Sequence, residues 1–246
     1  MTTGRMVQLG LVALLLAACQ PVAYPAGGAA RPVPVQPAVF APLPDGRLAP
    51  QQAARNFVQV VAQVEPVAEA MCRDRRPRSN CDFDIVVDDR PNQPPNAFQT
   101  LDRSGRPIIG FTLALIADAR NADEIAFVVG HEAAHHIAGH IPQVQRTAVT
   151  GAVLAGVLAQ ASGAPPEAVR AAQEMGATMG ARTYARDFEL EADALGAEIA
   201  WRAGFDPLRG AAFFDRLPDP GDQFLGSHPP NAQRKDIVRR VVQGLQ

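Results

Sequence analysis

The stretch "VVGHEAAHHIAGH", Val128 to His140, decides how this chain reads, because it holds four of the five histidines and one glutamate. Within it His131, Glu132 and His135 form the pattern H-E-x-x-H. Residues four apart share one face of a helix, so both imidazoles can reach a single ion. Glu132 follows the first histidine and can reach the fourth position around that ion, where a water would sit. Two nitrogens and an oxygen suit zinc, and a catalytic zinc keeps one position open. Glu132 then has the place of a general base. The five-letter pattern is common, so its context matters. Apolar Ile125, Val128 and Val129 continue the face of His131 and His135, which a helix of plain surface histidines would not require. His136 lies about 100° around the helix from His135. His140 is more than two turns beyond His131. Both are expected beside the site or on the surface.

A third ligand should be an acid on a later helix. The segment "FELEADALG", Phe188 to Gly196, offers Glu189 and Asp193 at i, i+4 on one face. One can bind the ion while the other holds a ligand histidine by its ring N–H. Glu191 points roughly 200° away from Glu189 on such a helix and is not expected to share that role.

Working outward, Asn121 is a good N-cap and Glu124 completes a box-like pattern. That helix is expected to run to about His140 and stop at Pro142. Upstream, a helix from about Gln51 carries Phe57, Val60, Val61, Val64 and Val67 at helical spacing, with Pro66 expected to kink or divide it. Strands are expected at Phe83–Val87 and Ala97–Thr100, then a "DRSG" turn, then "RPIIGFT", extended and turning helical near Thr112. Downstream, the uncharged run Thr147 to Ala164 reads as a core helix or an interfacial hairpin rather than a membrane span. A helix from about Pro166 to Ala203 follows, with a break expected near Gly176 to Gly180 and Gly204 as its C-cap. A short helix capped by Asp206 with Pro207 first, and a last helix from Asn231 to Gln243, complete the pattern.

The N-terminus is a leader of another kind. Arg5 precedes an apolar run from Leu9 to Ala18, short for a bilayer span and proportioned like a secretory signal. It ends in "LAAC", which resembles the bacterial lipobox, with Cys19 as the lipidated residue. Gln20 in the next position favours the outer membrane. Residues 1–18 are thus expected to be a lipoprotein signal and 19–50, rich in Pro and Ala, a tether. Residues 51–246 are expected to form one folded domain. The remaining cysteines, Cys72 and Cys81, are expected to form a disulfide in an exported protein. The near-balanced net charge of -2 and the lack of a basic face speak against a nucleic-acid partner.

Taken together, "HEAAH", "ELEAD" and the later "SHPPNAQR" resemble the HtpX-like gluzincin peptidases, the family of the CAAX prenyl proteases and the Oma-type proteases. "PNAFQT" and "NADEIAFVVGHE" are similar to that family's edge-strand region and its entry into the active-site helix. The resemblance runs from about Phe57 to Arg240. It implies one zinc ion per chain held by His131, His135 and Glu189, with Glu132 as general base and Asp193 supporting the ligands. It also implies that His228 lies near the open zinc position, either stabilising an oxyanion or holding the site shut, and that Arg234 anchors the loop or the substrate. The sequence departs from membrane-embedded relatives in having no convincing span after the signal. "RPIIGFT", read as the edge strand, lacks the paired glycines often found there.

The expected fold is α+β and zincin-like, mainly helical with a small mixed sheet beside the H-E-x-x-H helix. The expected function is a zinc metalloendopeptidase acting on unfolded or misassembled envelope proteins, lipid-anchored on the periplasmic face. The alternative is a self-inhibited, zinc-containing assembly or chaperone-like factor.

Overall fold

The computed structural model describes residue 43 and residues 45–219 and 228–246. The expected signal, Cys19 and most of the tether lie outside the described residues. Helix α1, Pro50–Arg75, starts with proline in its first turn, where the missing N–H has no partner to lose. It buries Phe57, Val60, Val64, Ala68 and Met71 along one stripe. Each large side chain there contributes about 1.5–3 kcal/mol. The expected division at Pro66 does not occur; α1 runs through it. Pro66 and Ala62 are both on the exposed side. The carbonyl that loses its donor therefore faces water, and the buried stripe continues on either side.

Cys72, at the end of α1, is joined to Cys81 as a disulfide with Cα atoms 5.7 Å apart. Three strands follow: β1, Asp84–Asp88; β2, Ala97–Leu101; and β3, Pro107–Thr112. Their order is β1-β3-β2, with β1 parallel and β2 antiparallel to β3. The hairpin between β2 and β3 closes on Asp102, whose Oδ1 accepts from the amides of Ser104 and Arg106, and on Gly105 at φ +85. "RPIIGFT" was expected at the sheet edge and is instead its centre. Pro107, Ile109, Gly110, Phe111 and Thr112 are all buried, as suits a strand covered on both faces. The edges are β1 and β2; the one beside α3 is β2, which carries the polar Gln99 and Thr100.

Helix α2, Leu113–Asp118, leads into α3, Ala122–Ala138, which is buried along nearly its whole length. Asn121 caps α3, its Oδ1 accepting from the Glu124 amide at 3.0 Å. Glu124 and Asp123 then clamp the helix start to later elements, through Arg216 and Arg209 respectively. The expected stop at Pro142 lies elsewhere: α3 ends at Gly139, in the left-handed region at φ +73. Helix α4, His140–Ala161, begins at once, and Pro142 is accommodated in its first turn.

Helix α5, Pro166–Arg182, doubles back on α4. Backbones touch where Gly151 meets Gly176 and where Gly180 meets Thr147. Those glycines thus serve helix packing, and the expected break near them falls later, at Thr183–Tyr184. The run Thr147–Ala164 belongs to this hairpin and gives nothing to the core; Val153, Leu154, Val157 and Leu158 are exposed. No helix among the described residues is long and apolar enough to cross a membrane.

Helix α6, Ala185–Arg202, returns to the core against α3. Gly204 ends it at φ +89. Helix α7, Pro207–Gly210, a 3-10 turn over Ala211–Arg216, and α8, Asn231–Leu245, pack over α3 and α6. The result is a mainly helical α+β fold whose three-stranded mixed sheet lies beside α3.

Candidate metal centre

Helix α3 supplies His131, Glu132 and His135; α6 supplies Glu189 and Asp193; α8 supplies Arg234. The two long helices meet through glycine. A Cβ on Gly130 would lie 2.6 Å from the Gly196 carbonyl oxygen, so only hydrogen fits there. That close approach carries Glu189, two turns earlier on α6, to the histidines.

The side chains then converge. His131 Nε2 lies 3.1 Å from His135 Nε2. Glu189 stands 3.6 Å from the first through Oε2 and 3.4 Å from the second through Oε1. Tetrahedral bonds of about 2.0–2.1 Å place donor atoms about 3.3 Å apart, close to these separations. The donor chemistry agrees. The ionised Asp193 can only accept, so His131 donates from Nδ1 to its Oδ1 at 2.9 Å, leaving the Nε2 lone pair toward Glu189 and His135. Such facing acceptors require a proton or a cation between them. His131, His135 and Glu189 therefore fit a metal ion, and they form a group of three candidate ligands.

Electrostatics point the same way. Burial opposes the charge on His131, but Asp193 and Glu189 outweigh it and hold the ring above the usual imidazole range. Burial also opposes ionisation of Glu189. The close approach of His135 and His228, with the charges of His131 and Arg234, overcomes that and keeps its carboxyl well below the ordinary range. Glu132 is different: burial dominates, and its carboxyl is pushed up.

Asp193 is fully buried and fixed from behind. Arg234 forks onto it, Nε donating to Oδ2 and Nη2 to Oδ1, each at 2.7 Å. The guanidinium carbon sits 4.0 Å over the Phe214 ring. Arg234, expected in support of the ligands alongside Asp193 and as an anchor for the loop or the substrate, lies against Asp193, with Nη2 3.4 Å from Glu189 Oε2. His228 is exposed at the rim, its Nδ1 3.1 Å from Glu189 Oε2.

A hollow of about 460 Å³ opens on one side, lined by Ala97 of β2, Leu115, Phe127 and Phe214. Another of about 480 Å³ lies on the other side, lined by Ile141, Val144 and Phe188. Glu132, His135, Glu189 and His228 border both. An extended chain could cross the convergence with side chains on either hand.

The comparison with known proteins accords with this geometry. Residues 54–241, from within α1 to within α8, match peptidase family M48. The chain belongs to that family. Among M48-related proteins, one of Vibrio cholerae assigned the name beta-barrel assembly-enhancing protease is 36% identical over 123 residues, 47% of this chain and 25% of that protein. The mitochondrial metalloendopeptidase OMA1 of Arabidopsis thaliana is 29% identical over 138 residues, 54% of this chain and 27% of its own. The beta-barrel assembly-enhancing protease of Escherichia coli is 29% identical over 144 residues, 53% of this chain and 30% of its own. The matched region thus spans under a third of the length of these curated relatives. M48 is a family of metallopeptidases, and the three candidate ligands lie within the matched region.

Two further residues touch the site. His140 Nδ1 is 2.8 Å from His135 Nδ1, and His140 Nε2 is 3.2 Å from Glu191 Oε2. Burial lowers His140 below the usual imidazole range. Helical spacing hid this contact, because the turn at Gly139 breaks the spacing. Glu191 does point away from Glu189, as expected, but toward His140. His136 turns outward, donating from Nε2 to the Asn80 carbonyl at 2.7 Å in the disulfide loop.

Proposed function

We propose that this chain is a zinc-dependent endopeptidase of gluzincin arrangement. His131, His135 and Glu189 are its ligands and Glu132 its general base. The observation that carries the reading is the triangle of His131, His135 and Glu189 acceptors at 3.1 to 3.6 Å beside a buried carboxyl. A bound zinc ion would supply Lewis acidity, acidifying a water and polarising a peptide carbonyl. The rest of the work belongs to the chain. Asp193, braced by Arg234, fixes the His131 ring with its Nε2 toward the centre. Glu132, its pKa pushed up by burial, takes the proton of the water and delivers it to the departing amine nitrogen. His228, at the rim, faces the side from which substrate enters and stabilises the oxygen that gains negative charge. The free edge of β2 offers backbone groups to an extended substrate, which would add as a further strand.

The substrates we propose are unfolded or misassembled envelope proteins. The names of the Vibrio cholerae and Escherichia coli relatives support a setting in the cell envelope. The lipobox-like "LAAC" supports a lipid anchor at Cys19, facing the periplasm, with Gln20 favouring the outer membrane. Purified protein should carry one zinc per chain and cut an unfolded polypeptide; a chain without zinc or without cleavage would contradict the reading.

A second reading rests on the hydrogen-bond distance between His228 and Glu189. In it His228 holds the site shut and the protein assists assembly with little proteolysis. His228→Ala separates the two. Cleavage falls if His228 stabilises the reacting oxygen and rises if it closes the site.

A further inference from the structure

The two candidate histidine ligands are braced differently. His131 leans on a buried carboxylate, Asp193, itself neutralised by Arg234. His135 leans on another imidazole, that of His140. We propose that His140 and Glu191 form a positioning relay that fixes the tautomer of His135. The relay rests on the zinc reading above and deepens it.

The hydrogen-bonding groups along Glu191–His140–His135 fix where each proton lies. The Glu191 carboxylate can only accept, so the His140 Nε2 facing it at 3.2 Å carries the proton. A neutral imidazole has one N–H, which leaves a lone pair on His140 Nδ1. His135 Nδ1 lies 2.8 Å from that lone pair and must therefore donate. His135 Nε2 is then unprotonated, as a ligand nitrogen must be, and it faces Glu189 and His131. The ordering runs from an exposed carboxylate, 58% exposed in its side chain, to the ligand through one intervening ring. Glu191 thus acts by orienting a proton rather than by adding buried charge.

Three features hold His140 in place. Gly139 turns the chain at φ +73. Had α3 continued, His140 would lie about 140° around the helix from His135 and out of reach. That left-handed backbone at Gly139 is one that glycine adopts without strain. Phe188 stacks on the His140 ring, centroids 4.5 Å apart and planes 19° from parallel. His140 itself is 3% exposed.

The test uses the intact chain labelled with ¹⁵N-histidine and long-range ¹H–¹⁵N spectra, zinc-free and zinc-loaded. Expected are protons on Nε2 of His140 and on Nδ1 of His135 in both states. A proton on His140 Nδ1 would overturn the relay without any variant being made. Zinc affinity is then measured by chelator competition. His140→Leu, which has no acceptor, should bind roughly 10- to 100-fold more weakly. His140→Gln, whose amide oxygen can accept from His135, should recover most of that loss. Leucine binding as tightly as wild type, or glutamine as weakly as leucine, would refute the relay. If wild type takes up no zinc, the zinc reading fails, while the zinc-free tautomers still decide the relay.

Discussion

Gly130 and Gly196 meet backbone to backbone where α3 crosses α6, one residue before His131 and seven after Glu189. A Cβ on Gly196 would lie 2.7 Å from the His131 amide nitrogen. Neither backbone can yield without parting the two helices, and the candidate ligands are divided between them. Gly196→Ala is therefore expected to cost about 1–3 kcal/mol of stability and to weaken zinc binding as Glu189 moves off. Urea unfolding and zinc titration check it. A variant matching wild type in both would mean that the crossing does not set the site.

Asp193 and Arg234 form a buried ion pair, and its two halves are expected to behave unequally alone and together. Asp193→Asn leaves the buried Arg234 guanidinium with only its longer contact to Glu189, at 3.4 Å, and should cost up to about 3–5 kcal/mol. Arg234→Met leaves a buried carboxylate in the same way. The double variant removes both charges and should lose less than the sum of the single losses. Additive losses in denaturant unfolding would show the pair to be uncoupled.

Much of this was legible in the sequence, and the misses share a cause. The cap at Asn121, the spacing of His131 and His135 and the i, i+4 pair Glu189 and Asp193 are local patterns, and local patterns survive folding. Pro142 suggests a helix stop because proline breaks helix interiors. It is equally at home in a first turn, and the left-handed residue was Gly139. Pro66 is expected to kink or divide α1 for the same reason; it does not divide the helix, and its side of α1 faces water. The contact of His140 with His135 is hidden in the sequence because helical spacing counts along one unbroken helix, and Gly139 breaks it. "RPIIGFT" carried the needed signal: a strand apolar at almost every position belongs inside a sheet. The fork of Arg234 onto Asp193 joins residues 41 apart, and nothing local announces it.

The disulfide closes a short polar loop between α1 and β1. Its removal by Cys72→Ala with Cys81→Ala should lower the unfolding free energy by about 2–3 kcal/mol through the unfolded chain. Zinc stoichiometry should stay at one, because the loop meets α3 through His136 rather than through a ligand. Loss of zinc from a variant that remains folded would show that the loop shapes the centre.

Metal removal should destabilise the fold. Chelation leaves acceptors of His131, His135 and Glu189 facing one another, and zinc at a hundred times its dissociation constant contributes about 2.7 kcal/mol. The melting temperature should fall with a chelator and recover with zinc. In His135→Ala it should be insensitive to both. A wild-type melting temperature indifferent to chelator would count against a metal at this site.

In the proposed mechanism Glu132 moves a proton at a centre assembled by its neighbours. The most direct measurement is cleavage of an unfolded polypeptide by Glu132→Gln, with zinc content measured on the same preparation. Zinc should remain at one per chain while the cleavage rate falls by roughly 10²–10⁴-fold. Undiminished cleavage by the zinc-loaded variant would contradict the account.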